Sequence, residues 1–384
     1  MSTNLKQELE NALSQLDAFL KKEKPGREQT LDYLRTTPLP FINCYYEELS
    51  PSDMFHYSFR FLHLLGQYNV ALAVGLCMNQ YIAFSIACFP AKEGTTTYFL
   101  KQQFLAIVKQ NSWLLAVSSF DDFIRNKSET GNQVRCVPQS DGTFLCNGTK
   151  NFQSNISGAD ILLFSGNLSD QEVGLFYTFL KVPGISLGEA LYPGAMADTD
   201  TRSVHFKDLQ LSQIQMVPSG EGDENQGLHA LTRVVFAVMA MAPYLGGAHR
   251  AMVESGTFLK NVHLEGKPLA ELDGYITDMG RLQLQYRICE SLVAGFESKL
   301  ALLNAGSVAE WLETEGPNAL AIKYHVTAVC ENLVDSARKI IGTRSLLPAH
   351  IVSALSQQIL FAALHPVLNA KIERDFGNGF LSRL

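Results

Sequence analysis

Residues 141–155 read DGTFLCNGTKNFQSN, and residues 158–164 continue as GADILLF. Asp141-Gly142 is a turn dipeptide, and the residues after it alternate between apolar and polar, as in a half-buried strand. Gly148 permits a backbone conformation that residues with a side chain avoid. The apolar run after Asp160 predicts a second, fully buried strand. The stretch therefore predicts two strands joined by a shaped corner.

The periodicity of apolar residues divides the chain into three parts. Helical patterns run to about residue 110, with a helix start at Ser50-Pro51 and a long apolar helix near residues 70–88. Alternating patterns then run from Trp113 to about Pro218, with turns at Gly131-Asn132, Asp141-Gly142, Pro183-Gly184 and Pro193-Gly194. After an acidic, Gly-bearing linker at 219–227, helical patterns return at 228–260, 268–302, 316–341 and 348–374. We predict an α+β protein with an N-terminal α-helical domain, a middle β-domain and a C-terminal helical domain, at residues 1–112, 113–225 and 226–384.

Size and charge narrow the class of protein. The chain has 384 residues, of which 46% are hydrophobic, so it can fill more than one packed unit. It carries 38 acidic against 31 basic residues, a net charge of −7, and no cluster of Lys and Arg stands out. Binding to a phosphate backbone is therefore not expected, and we predict no nucleic-acid partner.

The pattern of cysteines and the apolar stretches indicate the cellular location of the protein. The seven cysteines are scattered and include no CxxC pair, which favours reduced thiols in the cytoplasm over disulfides, zinc or another bound metal. The N-terminal residues resemble no secretory signal. Two apolar stretches, at 71–89 and 234–248, approach membrane length, but polar residues or Pro243 interrupt them. We interpret both as buried helices and expect no integral membrane segment.

The residues quoted first resemble the central β-domain signature of the acyl-CoA dehydrogenase superfamily, dG.y.l.GtK.f.sna..AD.ll. Residues 193–208 resemble the family's next strand pair, residues 70–76 its buried N-terminal helix, and residues 337–342 part of its bundle. The resemblance implies an N-terminal α-helical domain, a middle β-barrel-like domain and a C-terminal four-helix bundle. It also implies a flavoprotein oxidoreductase that forms a homodimer or homotetramer, in which a neighbouring subunit completes each flavin site.

The same resemblance assigns cofactor-binding residues. Phe152 would flank the flavin ring, and the Ser154 hydroxyl would approach its N5 atom. The strand with Val117 and Ser118 would cap the pyrimidine end, with Ser118 at the position of a family Thr. The full set of expected FAD-binding residues is Val117, Ser118, Phe152, Gln153, Ser154, Gly342 and Arg344. The alternative interpretation is that these hydroxyls only satisfy strand ends.

One departure from the family pattern concerns the cofactor. The family has an Arg that reaches the flavin pyrophosphate from a neighbouring subunit, and a Phe three residues later. Here these positions are Val262 and Glu265. The change removes an attractive charge and introduces a repulsive one. FMN or a reduced flavin is therefore an alternative to FAD.

A second departure concerns the catalytic base. Dehydrogenation of an acyl thioester needs a carboxylate that removes the α-proton. The two places where the family carries this Glu correspond to residues 364–367 and to Thr232, and neither holds a carboxylate. Glu373 lies further along the chain and is the candidate base that remains.

His365-Pro366 resembles the reduced-flavin monooxygenase branch of the superfamily, which includes dibenzothiophene monooxygenase. In this branch a His near the same helix lines the flavin pocket, and an imidazole titrates near neutral pH. A second His of the branch is replaced here by Asn79. The alternative interpretation is that His365 precedes a proline that simply ends a helix.

Two classes of function remain open. The first is a flavin-dependent oxidoreductase that acts on the CH–CH bond of an acyl-CoA or, with reduced flavin and oxygen, on an apolar small molecule. His365 and Glu373 are its candidate catalytic residues. The second is a redox-inactive family member that serves as a binding or assembly subunit.

Overall fold

The computed structural model describes residues 2–118, 134–169, 172–216, 224–304 and 308–383. Helices come first, a sheet follows, and helices return, in the order that the periodicity predicts. The predicted turn at Gly131-Asn132 and residues 219–223 of the predicted linker lie outside the described ranges. The mixed helix-and-sheet fold class is confirmed.

The first part of the chain is helical because its apolar residues recur at helical spacing. Its helices are α1 (Ser2–Glu23), α2 (Arg27–Arg35), α3 (Pro51–Gly66), α4 (Val70–Cys88) and α5 (Thr96–Gln110). Ser50 caps α3: its Oγ accepts a hydrogen bond from the backbone N–H of Asp53, whose carboxylate accepts from the Ser50 backbone N–H. Every residue of α4 is buried, so this helix forms the centre of the helical core.

Within the described residues, seven strands form one sheet in the order β1-β4-β2-β3-β7-β6, with β5 paired to β4. They are β1 (Leu115–Ser118), β2 (Arg135–Pro138), β3 (Thr143–Gln153), β4 (Ile161–Asn167), β5 (Val173–Phe179), β6 (Ile185–Ala190) and β7 (Arg202–Ser212). The long strand β3 lies between β2 and β7, antiparallel to both. β1 runs parallel to β4. Both predicted strands of the corner, β3 and β4, are present.

The predicted irregularity in β3 is confirmed at Gly148. Its φ is +135°, a value that residues with a side chain rarely adopt. The register of the β3–β7 ladder shifts between Cys146 and Gly148, and again between Lys150 and Gln153. Such shifts bend a strand and change the direction in which its end points. They shape the corner that follows Gln153.

The C-terminal part contains α6 (Glu224–Met239), α7 (Met241–Asn261), α8 (Asp273–Lys299), α9 (Val308–Ile341), α10 (Ile351–Gln358) and α11 (Asn369–Leu381). A hairpin of β8 (His263–Leu264) and β9 (Lys267–Pro268) follows α7. The single helix predicted over 348–374 is wrong: a 3-10 turn at Ile359–Leu364 and an extended His365 interrupt it. Proline disfavours the helical conformation in the residue before it, and Pro366 follows His365 directly.

Two hydrophobic clusters lie on opposite faces of the sheet. Alternate residues of β1 and β4 belong to different clusters: Leu115 and Val117 pack with the helices, whereas Ala116 and Leu162 pack inside the β-region. The sheet is thus joined to the helices by a continuous apolar core.

In the described part of the chain, three helical stretches are long and apolar enough to cross a membrane, judged by length and composition alone. The Val70–Cys88 window is 100% buried, the Gly227–Asn261 window 78%, and the Ile351–Leu381 window only 28%. The first two are the stretches that the sequence interprets as buried helices. The third leaves an apolar surface at the C-terminal end.

Candidate functional site

The corner after β3 presents an aromatic side chain in an unusual backbone conformation. Phe152 has a φ of +62°, and its side chain is 50% exposed. A bulky residue rarely adopts positive φ, and such a conformation costs of order 1–3 kcal/mol. Residues held in this way cluster at binding sites. The conformation and exposure of Phe152 make the corner a candidate binding site.

Two predicted cofactor-binding residues carry buried oxygen atoms that lack a protein partner. Ser118 is 3% exposed and Gln153 is 2% exposed. In the described part of the chain, neither Ser118 Oγ nor Gln153 Oε1 has a hydrogen-bond partner. A buried polar atom without a partner costs about 1–3 kcal/mol, so such atoms are rare. Two of them among the predicted residues fit a site that a polar ligand edge completes.

Ser154 belongs to a chain of hydroxyl groups. Its Oγ lies 3.0 Å from Thr201 Oγ1, which lies 2.8 Å from Thr199 Oγ1. Thr199 donates its proton to the carbonyl oxygen of Met196. Because that proton is used, Thr201 must donate to Thr199, and Ser154 must donate to Thr201. Ser154 Oγ is then left as a hydrogen-bond acceptor towards a ligand.

Ion pairs from the N-terminal helices hold the corner in place. Asp200 accepts hydrogen bonds from the Ser157 backbone N–H at 2.7 Å, from Arg202 Nε at 2.7 Å and from Arg27 Nη2 at 3.3 Å. Burial opposes ionisation of Asp200, but the hydrogen bonds from Ser157 and Arg202 and the charge of Arg27 outweigh it and lower its pKa. Arg27 Nη2 also donates to Asn155 Oδ1 at 2.9 Å. The loop after the corner, which contains Asn155 and Ser157, is thereby held by both Arg27 and Asp200.

Arg35 fixes the other end of the same loop. It donates to Asp160 Oδ2 at 2.6 Å and to the carbonyl oxygen of Gly158 at 2.8 Å. Sequence reasoning missed Arg27 and Arg35, since both lie more than a hundred residues from their partners. The sequence contained one signal of these ion pairs. Their acidic partners, Asp160 and Asp200, lie in the two stretches that carry the family resemblance.

Helix α4 packs closely behind the corner. A Cβ on Gly75 would lie 3.2 Å from the Thr199 carbonyl oxygen and 3.4 Å from Asn155 Cβ, so a glycine suits this approach. One turn further, Asn79 is buried, accepts a hydrogen bond from the Leu115 backbone N–H at 2.9 Å and donates to the Pro40 carbonyl oxygen at 2.6 Å. The resemblance predicts that Asn79 takes the approximate place of a His in the monooxygenase branch. Here it fixes the start of β1.

His365 lies among the bundle helices. Its Nε2 is 2.5 Å from the Tyr244 hydroxyl, and its ring meets Phe236 edge-on at 6.0 Å. Burial lowers the pKa of His365 to about 3, and the charge of Lys323 acts in the same direction. Burial raises the pKa of Tyr244. The pair is therefore neutral at physiological pH.

Helix α4 lies between His365 and the corner. Gly75 and Asn79 of α4 face the corner and β1, whereas Tyr81 meets Phe236, the neighbour of His365, at a ring distance of 4.9 Å. Positions two apart on a helix point in nearly opposite directions, about 200° around its axis. Among the described residues, no hydrogen bond or ring contact joins His365 to the corner.

Three of the four remaining predicted site residues lie on the surface. Glu373 is exposed, and its Oε1 accepts a hydrogen bond from Tyr324 at 2.8 Å. Gly342 and Arg344 are exposed after α9, where the Arg344 guanidinium lies 5.7 Å from the centre of the Phe258 ring. None of the corner contacts described above includes them. Val117 is buried, and its side chain packs in the helical core.

The region that departs from the family at Val262 forms an exposed turn. Glu265 and Gly266 connect β8 and β9 with φ values of +50° and +82°, and Glu265 is exposed. Its carboxylate is therefore free to repel an approaching phosphate. Across the described residues, no group of three or more His, Cys, Asp or Glu side chains is arranged to hold a metal ion.

Residues 226–364 match the family model of the acyl-CoA dehydrogenase C-terminal domain. Comparison with curated protein sequences found no match. Butyryl-CoA dehydrogenase from Megasphaera elsdenii superposes with a TM-score of 0.81 at 18% identity, over 97% of this chain and 98% of that chain. FMN-bound TdsC from Paenibacillus sp. A11-2 gives 0.81 at 15% identity, over 98% and 97%. KijD3, in complex with FMN and a dTDP-linked sugar, gives 0.76 at 14% identity, over 98% and 94%.

The chain therefore has the acyl-CoA dehydrogenase fold, and its residues 226–364 match the model of the acyl-CoA dehydrogenase C-terminal domain. This confirms the resemblance that the β-domain signature indicates. The proteins that share this fold include TdsC, which is described as a dibenzothiophene monooxygenase. At identities of 14–18% the structural likeness establishes the fold and not the activity.

Proposed function

We propose that the chain binds a flavin at the corner of Ser118, Phe152, Gln153 and Ser154. The observation that supports this most directly is the pair of buried oxygens, Ser118 Oγ and Gln153 Oε1, that have no partner among the described residues. Along its pyrimidine edge a flavin ring offers the N3–H donor and several acceptors. Gln153 Oε1 would accept from N3–H, and the Ser118 hydroxyl would donate to an acceptor. Phe152 would contact the ring face.

The hydroxyl chain favours the reduced form of the cofactor. The family resemblance brings Ser154 to the flavin N5 atom, which accepts a hydrogen bond when oxidised and carries a proton when reduced. Since Thr199 and Thr201 use the other protons of the chain, Ser154 Oγ can accept but has no proton left to donate. Its acceptor role suits N5–H. Reduced flavin is therefore the expected ligand.

The exposed hairpin favours FMN over FAD. FAD has a pyrophosphate that needs a cationic partner, and the family position for it is Val262, with Glu265 nearby. FMN has a single phosphate and no adenylate to place. TdsC and KijD3, whose fold this chain shares, are each described in complex with FMN. FAD remains the alternative that the family resemblance implies.

For the reaction, we infer oxygen-dependent oxidation of an apolar small molecule in preference to dehydrogenation of an acyl-CoA. The positions of the family's carboxylate base hold Thr232 and residues 364–367, and Glu373 faces solvent. Bound reduced flavin would supply the electrons for oxygen activation. Tyr244 would donate to His365 Nε2, which leaves the proton of the neutral imidazole on Nδ1 as a donor to a ligand. Because α4 separates His365 from the corner, His365 would donate to the substrate and not to the flavin.

We also propose that the chain forms a homodimer or homotetramer. Its C-terminal end exposes several large apolar side chains, among them Leu346, Leu347, Leu360, Leu364, Phe380 and Leu381. Exposed apolar surface of this kind is typical of contact surfaces between proteins. In such an assembly, Gly342 and Arg344 would contribute to a neighbouring subunit's flavin site, as the family resemblance implies.

Titration of the purified protein with FMN, FAD and riboflavin, each oxidised and reduced, tests the flavin proposal. We expect reduced FMN to bind most tightly. Gln153→Leu and Ser118→Ala should each weaken binding by about 5- to 100-fold, because each removes a buried hydrogen bond to the ligand. Ser291→Ala is the matched control, since Ser291 is exposed on α8, where its hydroxyl donates to the Arg287 carbonyl oxygen of the same helix.

Two results would separate the alternatives. If no flavin form binds, the redox-inactive binding or assembly subunit becomes the better explanation of the fold. If flavin binds but the Gln153→Leu, Ser118→Ala and Ser291→Ala proteins bind equally well, the corner is not the site. An acyl-CoA that bleaches bound oxidised flavin without oxygen would favour the dehydrogenase reaction.

A further inference from the structure

Two of the seven cysteines face each other across the sheet. Cys136 on β2 and Cys146 on β3 are direct register partners in the antiparallel ladder. Their sulfur atoms are 2.7 Å apart, and both side chains are 0% exposed. The other five cysteines lie in helical segments: Cys44, Cys77, Cys88, Cys289 and Cys330. The β2–β3 pair is therefore a distinct arrangement in this chain.

The backbone at this pair suits a covalent link. Residues directly opposite in an antiparallel ladder have Cα atoms about 4.5–5.5 Å apart, which lies within the usual range for a disulfide. Both side chains point to the same face of the sheet and join the same apolar cluster. The strand spacing of the folded sheet therefore accommodates a disulfide between these two positions.

The neighbouring strand leaves room for the two thiols. Gly166 on β4 faces Cys136, and a Cβ at this position would collide with the Cys136 sulfur. Lys150, also on β3, is fully buried and donates to Ser165 Oγ at 3.0 Å. Its positive charge favours a thiolate at Cys136. The pair thus lies in an apolar cluster with one cation close by.

We propose that Cys136 and Cys146 form an oxidisable dithiol, which hydrogen peroxide converts into an intramolecular disulfide. One thiolate attacks peroxide, the O–O bond breaks, and a sulfenic acid and one water form. The second thiol then attacks the sulfenic sulfur, so that an S–S bond forms and a second water leaves. Two thiols and one peroxide give one disulfide and two waters.

The reaction requires local opening of β2. The hydrogen bond with Cys146 raises the pKa of the Cys136 thiol, and burial raises it further, so the closed pair reacts slowly. β2 has only four residues and pairs with β4 at a single position, Arg135 with Asn167. Its opening exposes both thiols at once. The disulfide then prevents β2 from separating from β3.

Thiol counting in the full-length protein tests this inference. The protein is treated with hydrogen peroxide and unfolded in a denaturant with a thiol reagent. We expect the loss of two of the seven thiols, recovery of both with dithiothreitol, and a single cross-linked peptide pair that contains Cys136 and Cys146. The oxidised protein should also show slower amide hydrogen exchange in β2.

Variants make the test specific to this pair. Cys136→Ser and Cys146→Ser, and Cys136→Ala if the first does not fold, should abolish the cross-link and the change in exchange. Cys289→Ser, which alters a buried cysteine on α8, should still lose two thiols. The inference fails if all seven thiols persist, if another pair is cross-linked, or if Cys136 or Cys146 is oxidised only to a sulfinic acid.

Discussion

The corner after β3 and the region around His365 both contain buried polar groups, but the groups are satisfied differently. At the corner, Ser118 Oγ and Gln153 Oε1 have no partner within the described residues. In the bundle, His365 pairs with Tyr244, and Lys323 donates to Asn369 at 2.9 Å. Asn369 in turn donates to Thr327 at 2.7 Å. These bundle side chains are thus bonded to one another, and the exception elsewhere in the described bundle is His249 Nδ1, which is buried without a partner.

This difference supports the corner as the region that receives the polar edge of the flavin. Polar groups that satisfy one another make a region rigid and specify its packing. Unsatisfied groups in a well-fixed frame are retained when something else binds them. Ion pairs of Arg27 and Arg35 provide that frame at the corner. Changes to the frame should therefore affect stability and ligand binding together, and changes in the bundle should affect stability and its pH dependence.

The largest effect on stability is expected from Arg27→Met. The Arg27 and Asp200 side chains are only 11% and 7% exposed, and the change leaves a buried carboxylate without one of its cations. Removal of one partner from a buried pair costs about 3–5 kcal/mol. Urea unfolding should therefore shift to a lower midpoint. Flavin affinity should fall as well, because Arg27 also holds Asn155 at the corner.

Arg281→Met is the matched control for this change. Arg281 pairs with Asp278 on α8, where the two side chains are 65% and 49% exposed. Loss of such a pair costs about 0.5 kcal/mol or less. Equal unfolding midpoints for the two variants would mean that the frame of the corner does not depend on Arg27.

Stability should decrease as the pH falls below about 6.5. Burial lowers the pKa of His365 to about 3 and, together with the charge of His249, that of His63 to about 4. The unfolded chain binds protons at these imidazoles from about pH 6.5 downward, whereas the folded chain does not. Unfolding therefore becomes easier by at most about 1.4 kcal/mol per pH unit for each His, down to the folded pKa.

His365→Gln isolates one of these contributions. Glutamine can accept the Tyr244 hydrogen bond but does not titrate. The slope of unfolding free energy against pH between about 4 and 6.5 should therefore decrease in this variant. His263→Gln, which alters an exposed imidazole on β8, serves as the control. A slope unaffected by His365→Gln would show that His365 is not held neutral by the fold.

Features set by neighbouring residues could be predicted from the sequence. The cap of α3 at Ser50, the strands around Asp141-Gly142 and the irregularity at Gly148 all follow from local preferences. The pairing of Cys136 with Cys146 also follows from that turn, since the two residues are equally distant from Asp141. Pro366 indicated that the helix predicted over 348–374 should be interrupted. The apolar residues 359–364 nevertheless suggested that the helix continues past Gln358.

Features set by distant residues could not be predicted in this way. The Arg27–Asp200 pair joins positions 173 apart, and periodicity carries no information about it. The missing partners of Ser118 and Gln153 become visible only when every neighbour is in place. The position of α4 between His365 and the corner likewise depends on how three parts of the chain pack. The resemblance supplied the candidate residues but not their contacts.

A smaller effect is expected from Tyr244→Phe in the bundle. The change removes the hydroxyl that lies 2.5 Å from His365 Nε2 and leaves this nitrogen without its partner. A lost buried hydrogen bond of this kind costs about 1–3 kcal/mol. Thermal unfolding measures this loss, and flavin affinity should stay the same because α4 lies between Tyr244 and the corner. Weaker flavin binding in this variant would mean that the two regions are coupled.

The smallest effect is expected from Glu373→Gln. Glu373 is exposed on α11, and its contact with the Tyr324 hydroxyl is also exposed, so stability should not change measurably. The change is informative because Glu373 is the candidate base for dehydrogenation. If the chain is an oxygenase, oxygen-dependent turnover should be the same in the variant and in the unaltered protein. If an acyl-CoA bleaches the flavin of the unaltered protein but not of the variant, Glu373 must reach the ligand by a rearrangement of α11, and the dehydrogenase reaction would replace the one proposed.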